Sequence, residues 1–99
     1  MTRDELLPPE ILARLPKLGE TEHDNDPLVH VKFFYPDFSW TWYGIEFDGE
    51  DVFFGLVDGF AKELGYFPLS ELMANRGKWG LEIERDCYFL PTPLSTLME

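Results

Sequence analysis

Cysteine is almost missing from this chain: Cys87 stands alone. No intrachain disulfide can form, and the fold has to be held by its core. Basic residues are scarce too. Eight Lys and Arg face nineteen Asp and Glu, a net charge of −11, and such a surface repels the phosphates of nucleic acid and of anionic lipid. Direct nucleic-acid binding is disfavoured on that ground, and the partner this charge would attract is a basic protein. No apolar run approaches the roughly 18 residues of a membrane span, and the first residues lack the apolar stretch of a signal peptide. The expectation is a soluble, cytoplasmic protein with no membrane partner. Ninety-nine residues with 44% apolar side chains make one domain, 1–99, with a core large enough to need no metal or disulfide.

What the chain has in plenty is aromatic and acidic side chains in one block. From Phe33 to Ala61 there is no Lys or Arg and there are six carboxylates. At its centre, Trp40 to Phe47 and Val52 to Val57 alternate as strands around Asp48-Gly49-Glu50-Asp51, the pattern of a β-hairpin. If Phe47 faces Val52, then Tyr43, Ile45 and Phe47 share a face with Val52, Phe54 and Leu56, and that apolar face is expected to be core. The opposite face holds Trp42, Gly44, Glu46, Phe53, Gly55 and Val57, with Gly44 facing Gly55. A tighter two-residue turn at Asp48-Gly49 would instead set Gly44 against Phe53 and Trp42 against Gly55.

The rest of the chain builds around this hairpin. Pro8 to Leu15 predicts a short helix, with proline in its first turn and Pro16 beyond its end. Residues 17–27 are polar and punctuated, a surface loop and the segment expected to move most. Leu28 to Tyr35 alternates as a strand. A loop over 36–39 pairs Phe33 with Trp42, whereas a shift by one brings Lys32 over Trp42 as a cation–π contact. Phe60 to Phe67 reads as a fourth strand and Asp86 to Leu90 as a short fifth. Ser70 is expected to cap a helix through Arg76, and Thr92-Pro93 opens a last helical turn. The fold class is α+β, with a mainly antiparallel sheet of four to five strands; a small β-barrel is the alternative.

His30-Val-Lys-Phe-Phe-Tyr-Pro-Asp37, the Trp40 to Asp51 block, Gly65-Tyr-Phe-Pro-Leu-Ser-Glu-Leu72, Glu84-Arg-Asp86 and Pro91-Thr-Pro-Leu94 together resemble a family of small bacterial proteins known only as a domain of unknown function. The resemblance spans nearly the whole chain. It implies company with plasmids, prophages and other mobile DNA, and it brings no activity, cofactor or catalytic residue to these positions.

Chemistry-bearing groups are few. His30 sits on a strand, where a surface histidine bonded to a neighbour is the ordinary role and a general base the sharper one. Arg85 beside Cys87 could activate the thiol, although a small buried thiol is the commoner use. His23-Asp24-Asn25-Asp26 and the Asp48 to Asp51 turn offer hard oxygens, but the first lacks the glycine and downstream glutamate of an EF-hand loop. Glu84-Arg85-Asp86 reads as a structural ion-pair cluster. No phosphate-cradling glycine motif and no nucleophile elbow is present, and nothing calls for a cofactor. The sequence therefore points to a non-catalytic interaction module. Trp40, Trp42 and Phe53 are the expected contact anchors and Glu46, Asp48, Glu50 and Asp51 the charges that steer a basic protein. The alternatives are a DNA mimic that inhibits a nucleic-acid-binding protein and a small metal-dependent hydrolase.

Overall fold

The computed structural model describes all residues, 1–99, and its backbone is α+β. Its centre is a five-stranded sheet in the order β5-β4-β3-β2-β6, from Val31–Phe34 (β2), Thr41–Phe47 (β3), Val52–Asp58 (β4), Lys62–Pro68 (β5) and Glu84–Arg85 (β6). Every neighbouring pair in it is antiparallel. A second sheet pairs Leu28–Val29 (β1) with Thr92–Pro93 (β7). Helices Arg3–Leu6 (α1), Pro9–Arg14 (α2), Leu69–Ala74 (α3) and Leu94–Met98 (α4) complete the chain. No helix is long and apolar enough to cross a membrane.

The hairpin of β3 and β4 departs from the simplest pairing at two places that cancel. Its turn is one residue longer than a Phe47 to Val52 closure, so Phe47 faces Phe53. Ile45 is then an extra residue on β3, a β-bulge between Gly44 and Glu46. Beyond the bulge the pairing is the first of the two the sequence allows, with Gly44 against Gly55 and Trp42 against Val57. The two-residue turn does not form. Instead Gly49 takes φ +90°, and Asp48 Oδ1 accepts from the backbone N–H groups of Glu50, Asp51 and Val52 at 2.8, 2.8 and 3.0 Å.

The bulge decides which face is which. Cross-strand neighbours project to one side, so Phe33, Trp42 and Val57 share a face with Phe47, Phe53 and Phe67. That face carries the main core, where Leu6, Leu7 and Ile11 from the N-terminal helices and Leu69 and Leu72 from α3 join Phe33, Trp42, Phe53 and Phe67. The expected core face is thereby corrected. Phe47 crosses to the helix-covered side, while Tyr43, Phe54 and Leu56 line the other. Ile45 and Leu56 are still fully buried, because this second face has cover of its own: β1 lies against β3, and Phe89 meets the Tyr43 ring with 6.0 Å between centroids.

Other expectations are corrected at the ends. The fifth strand is Glu84–Arg85 rather than residues 86–90, since Asp86 N–H donates to Lys32 O at 2.9 Å and the chain then turns away. Phe33 pairs with Trp42, as the loop over 36–39 allows, and Lys32 lies 5.9 Å from the Tyr43 ring centroid instead of over Trp42. The helix α1 went unforeseen although Thr2 and Glu5 form a capping box around it. Ser70 does not cap α3, which starts at Leu69. The Asp51 carboxylate, on the far side of the hairpin turn, takes that role by accepting from Ser70 N–H and Oγ at 2.8 and 2.7 Å. Asp51→Ala is expected to lower stability by about 1 kcal/mol, the usual worth of a helix cap, in urea denaturation; an unchanged midpoint would show the contact to be energetically idle.

Candidate functional site

The seven residues expected to form a binding surface do not come together as one. Phe53 has no exposed surface, and Trp42 is 7% exposed. Phe53 stacks on Phe67 at 5.3 Å between centroids and meets Phe47 at 4.5 Å. Both rings lie inside the main core, out of a partner's reach in the folded chain, because the helices cover that face of the sheet.

Glu46 is 4% exposed. The bulge turns its carboxylate toward the 17–27 segment, where it accepts from Gly19 N–H at 2.8 Å, from Thr21 N–H at 2.9 Å and from the Thr21 hydroxyl. Burial pushes its pKa up, but the bonds from the Thr21 hydroxyl and the Gly19 and Thr21 amides outweigh it and leave the pKa below the ordinary glutamate range. The loop expected to be mobile is thus pinned to the sheet by a buried anion. Asp48 is spent on the turn, and its three backbone donors lower its pKa. Asp51 holds α3 and lies 4.0 Å from the Arg3 guanidinium. Glu50 is exposed at the turn, with its carbonyl taken by Arg3.

Trp40 is the one expected anchor at the surface, and it sits near Tyr35 and Phe38, which the sequence also marks as surplus aromatics, and beside Phe60, which it does not. Its ring meets Phe60 edge-on at 5.4 Å and Trp42 at 6.1 Å, while Tyr35 packs on Phe38 at 5.8 Å. Phe60 is 97% exposed. The Trp40 ring also closes over Gly59, where an added Cβ would stand 2.7 Å from it, so the Asp58-Gly59 turn sets the ring in place. The signal for this cluster was in the sequence: an apolar Phe60 directly after a hairpin turn has no strand to bury it.

Three clefts flank the sheet, the first on the face opposite Trp40 and the other two beside Trp40 and Phe60. The first, about 500 Å³, runs over Ile45, Phe54, Leu64 and Tyr66 under a rim of Glu22, Asp24 and Asn25. The second, about 380 Å³, lies among Trp40, Val57, Phe60, Gly65 and Glu63. The third is bounded by Tyr35, Phe38, Trp40, Trp42 and Phe60, with Glu71 at its margin. Each joins an apolar floor to at least one carboxylate, and no Lys or Arg lines any of them.

Several of the bases are held by contacts away from the clefts. Lys32 pairs with Asp86 at 3.7 Å, Arg76 with Glu82 at 3.7 Å, and Arg85 Nε donates to Glu5 O at 2.8 Å. The Glu84-Arg85-Asp86 cluster is accordingly a tie between α1 and the edge of the sheet. His30 is half-buried, its Nδ1 has no hydrogen-bond partner, and burial together with the Arg14 charge lowers its pKa. Cys87 is exposed rather than buried, with Sγ 3.8 Å from Arg85 O. No group of three His, Cys, Asp or Glu side chains converges as a metal ion would require.

No curated protein and no solved structure matches the chain. A family model described as "Protein of unknown function (DUF2958)" matches residues 6–99, and over that span the chain belongs to this family.

Proposed function

We propose that this chain is a non-catalytic, cytoplasmic protein-interaction module, of the mobile-DNA context its sequence resemblance implies, that binds a basic protein through the aromatic end of its sheet. One observation carries the reading: the clefts around Trp40, Phe60 and β5 pair apolar floors with carboxylates and are lined by no base. Large exposed rings joined to a wet, charged rim are the composition of a recognition surface. Acidic rims speed the approach of a cationic partner, and the rings supply the buried contact.

In this reading Trp40 stays an anchor, Phe60, Phe38 and Tyr35 take the place of the core-bound Trp42 and Phe53, and Glu63 and Glu71 at the cleft margins take the place of Glu50, which lies at the far end of the hairpin. The DNA-mimic alternative has less support, because Asp37, Glu46, Asp48 and Asp51 all accept hydrogen bonds from the chain itself. A mimic needs such charges spread free across a surface.

Trp40→Ala combined with Phe60→Ser is expected to abolish capture of a basic partner from the native host, read by pull-down with mass spectrometry. The fold should persist by circular dichroism, since Phe60 is almost wholly exposed. Undiminished capture by a folded double variant would defeat the proposal.

A further inference from the structure

Resting on that reading, we propose that the partner docks as an extended basic segment that adds a sixth strand to the outer edge of β5. β5 is the last strand of the sheet on its side and has no neighbour beyond it. Backbone bonds at Gly59 to Ala61 and at Leu69 to Asp51 bracket the β4–β5 ladder at 3.2 and 2.7 Å. The register between them runs from Val52 against Pro68 to Asp58 against Lys62. Because bonded pairs alternate in an antiparallel ladder, Glu63, Gly65 and Phe67 turn their backbone groups toward β4, and Lys62, Leu64 and Tyr66 turn theirs to solvent. The ends of the edge are closed, one by Pro68 and the other by Lys62, whose ammonium donates to Leu97 O and Glu99 O, both at 2.8 Å. Leu64 and Tyr66 between them are open, with side chains 49% and 69% exposed.

Side chains on both faces of the edge prepare it for a strand. Gly44, Gly55 and Gly65 face one another across three strands on the core side. The first is roofed, since a Cβ there would come within 2.9 Å of the Phe53 ring, and Gly55 lies against the Tyr43 backbone; at Gly65 an added Cβ would meet nothing within 4 Å. A bare glycine on a strand is stabilised when a large apolar ring on the neighbouring strand lies across it. A ring opposite Gly65 would enter the cleft of Trp40, Val57 and Phe60. On the same face the residue opposite Glu63 would be Lys or Arg, because opposite charges pair across strands. On the other face, apolar residues would meet Leu64 and Tyr66. Charge selects this occupant over a second copy of the chain, which would bring a further −11 to an edge already lined by carboxylates. The mode is strand addition, in which backbone bonds supply affinity and alternate pockets supply selectivity.

The test uses the full chain and a synthetic nonapeptide with tryptophan at its centre, valine at the even places and lysine at the remaining odd ones. Because this pattern reads the same in both directions, it does not depend on strand orientation. On saturation the Leu64 and Tyr66 amides should exchange with solvent about tenfold more slowly or better, as newly bonded amides do. Tyr66→Pro, which removes an outward N–H without breaking the ladder, should weaken binding about tenfold, the worth of one or two backbone bonds. Tyr66→Ala keeps the N–H and should cost less.

Binding that shifts Trp40 and Phe60 but leaves both amides unprotected would overturn strand addition and leave the interaction reading standing. Absence of binding would overturn strand addition, while the interaction reading would stand or fall separately on capture by the Trp40→Ala, Phe60→Ser variant. Protection of the same amides in the peptide-free protein, with a dimer's mass, would assign the edge to a second copy instead. If Tyr66→Pro does not fold, the exchange measurement on the unaltered chain decides alone.

Discussion

Phe53→Ala is expected to destabilise the domain by about 3–5 kcal/mol, the range for removing a buried aromatic ring. That is a large part of the about 5–15 kcal/mol that holds a domain of this kind together. The ring has no exposed surface, touches Phe33, Phe47 and Phe67, and roofs Gly44. No single neighbour can collapse into the space, because Gly44, Gly55 and Gly65 bring no side chain toward it. Urea denaturation followed by tryptophan fluorescence checks the loss. The comparison with Trp40→Ala is the informative one, since Trp40 is only partly buried and its removal should cost markedly less. Equal losses would contradict the division of the aromatics into a core set and a surface set, and with it the proposed interface.

The second large effect is expected at Glu46. Glu46→Ala leaves the Gly19 and Thr21 amides and the Thr21 hydroxyl without their acceptor. Bonds to a charged, buried acceptor are worth more than ordinary ones, so a loss of about 2–4 kcal/mol should follow, together with release of the 17–27 segment. Faster amide exchange at Gly19 and Thr21 would report that release directly.

Acid makes the same point by another route. The folded-state pKa of Glu46 is depressed, so its contribution is complete above the unfolded value of about 4.3 and disappears as pH falls through the folded value. Glu46→Gln has no such titration. The gap between the unaltered chain and this variant should be widest near neutrality and narrow below about pH 4. Stability curves that stay parallel down to pH 3 would show that hydrogen bonding does not tie the loop through the anion. Asp48, Glu5, Asp26 and Glu82 also have lowered pKa values, so both proteins should lose stability in acid, and only the difference between them isolates Glu46.

The strands from Val31 to Phe67 were legible because alternation of side chains marks each of them and Asp48-Gly49 and Asp58-Gly59 mark the turns between. The register was not: the pairings of Gly44 with Gly55 and of Phe33 with Trp42 were each one of two that the sequence allowed, and the turn length, the bulge and the 36–39 loop decided between them. Nor was the choice of core face legible, since both faces of the hairpin are rich in apolar residues and a bulge reverses the parity of Phe47 without leaving a mark in the composition. The candidate surface shared that difficulty. Tryptophan serves cores and interfaces alike, and Trp40, just before β3, and Trp42, within it, are two residues apart and differ in how far the core extends along the sheet. Among the carboxylates, Glu46 and Asp51 looked like free charge because their partners, Thr21 and Ser70, lie far away along the chain.

By itself, then, the sequence determined an acidic α+β chain with an antiparallel sheet and a surplus of aromatic side chains, because those follow from local periodicity and from composition. Tertiary structure decided which of those side chains are surface. The helices that bury Trp42 and Phe53 stop short of Trp40 and Phe60, the Ile45 bulge sends Glu46 inward to hold a loop, and β5 ends the sheet with Leu64 and Tyr66 open. Each outcome depends on residues distant in the chain meeting in space, which no local pattern encodes.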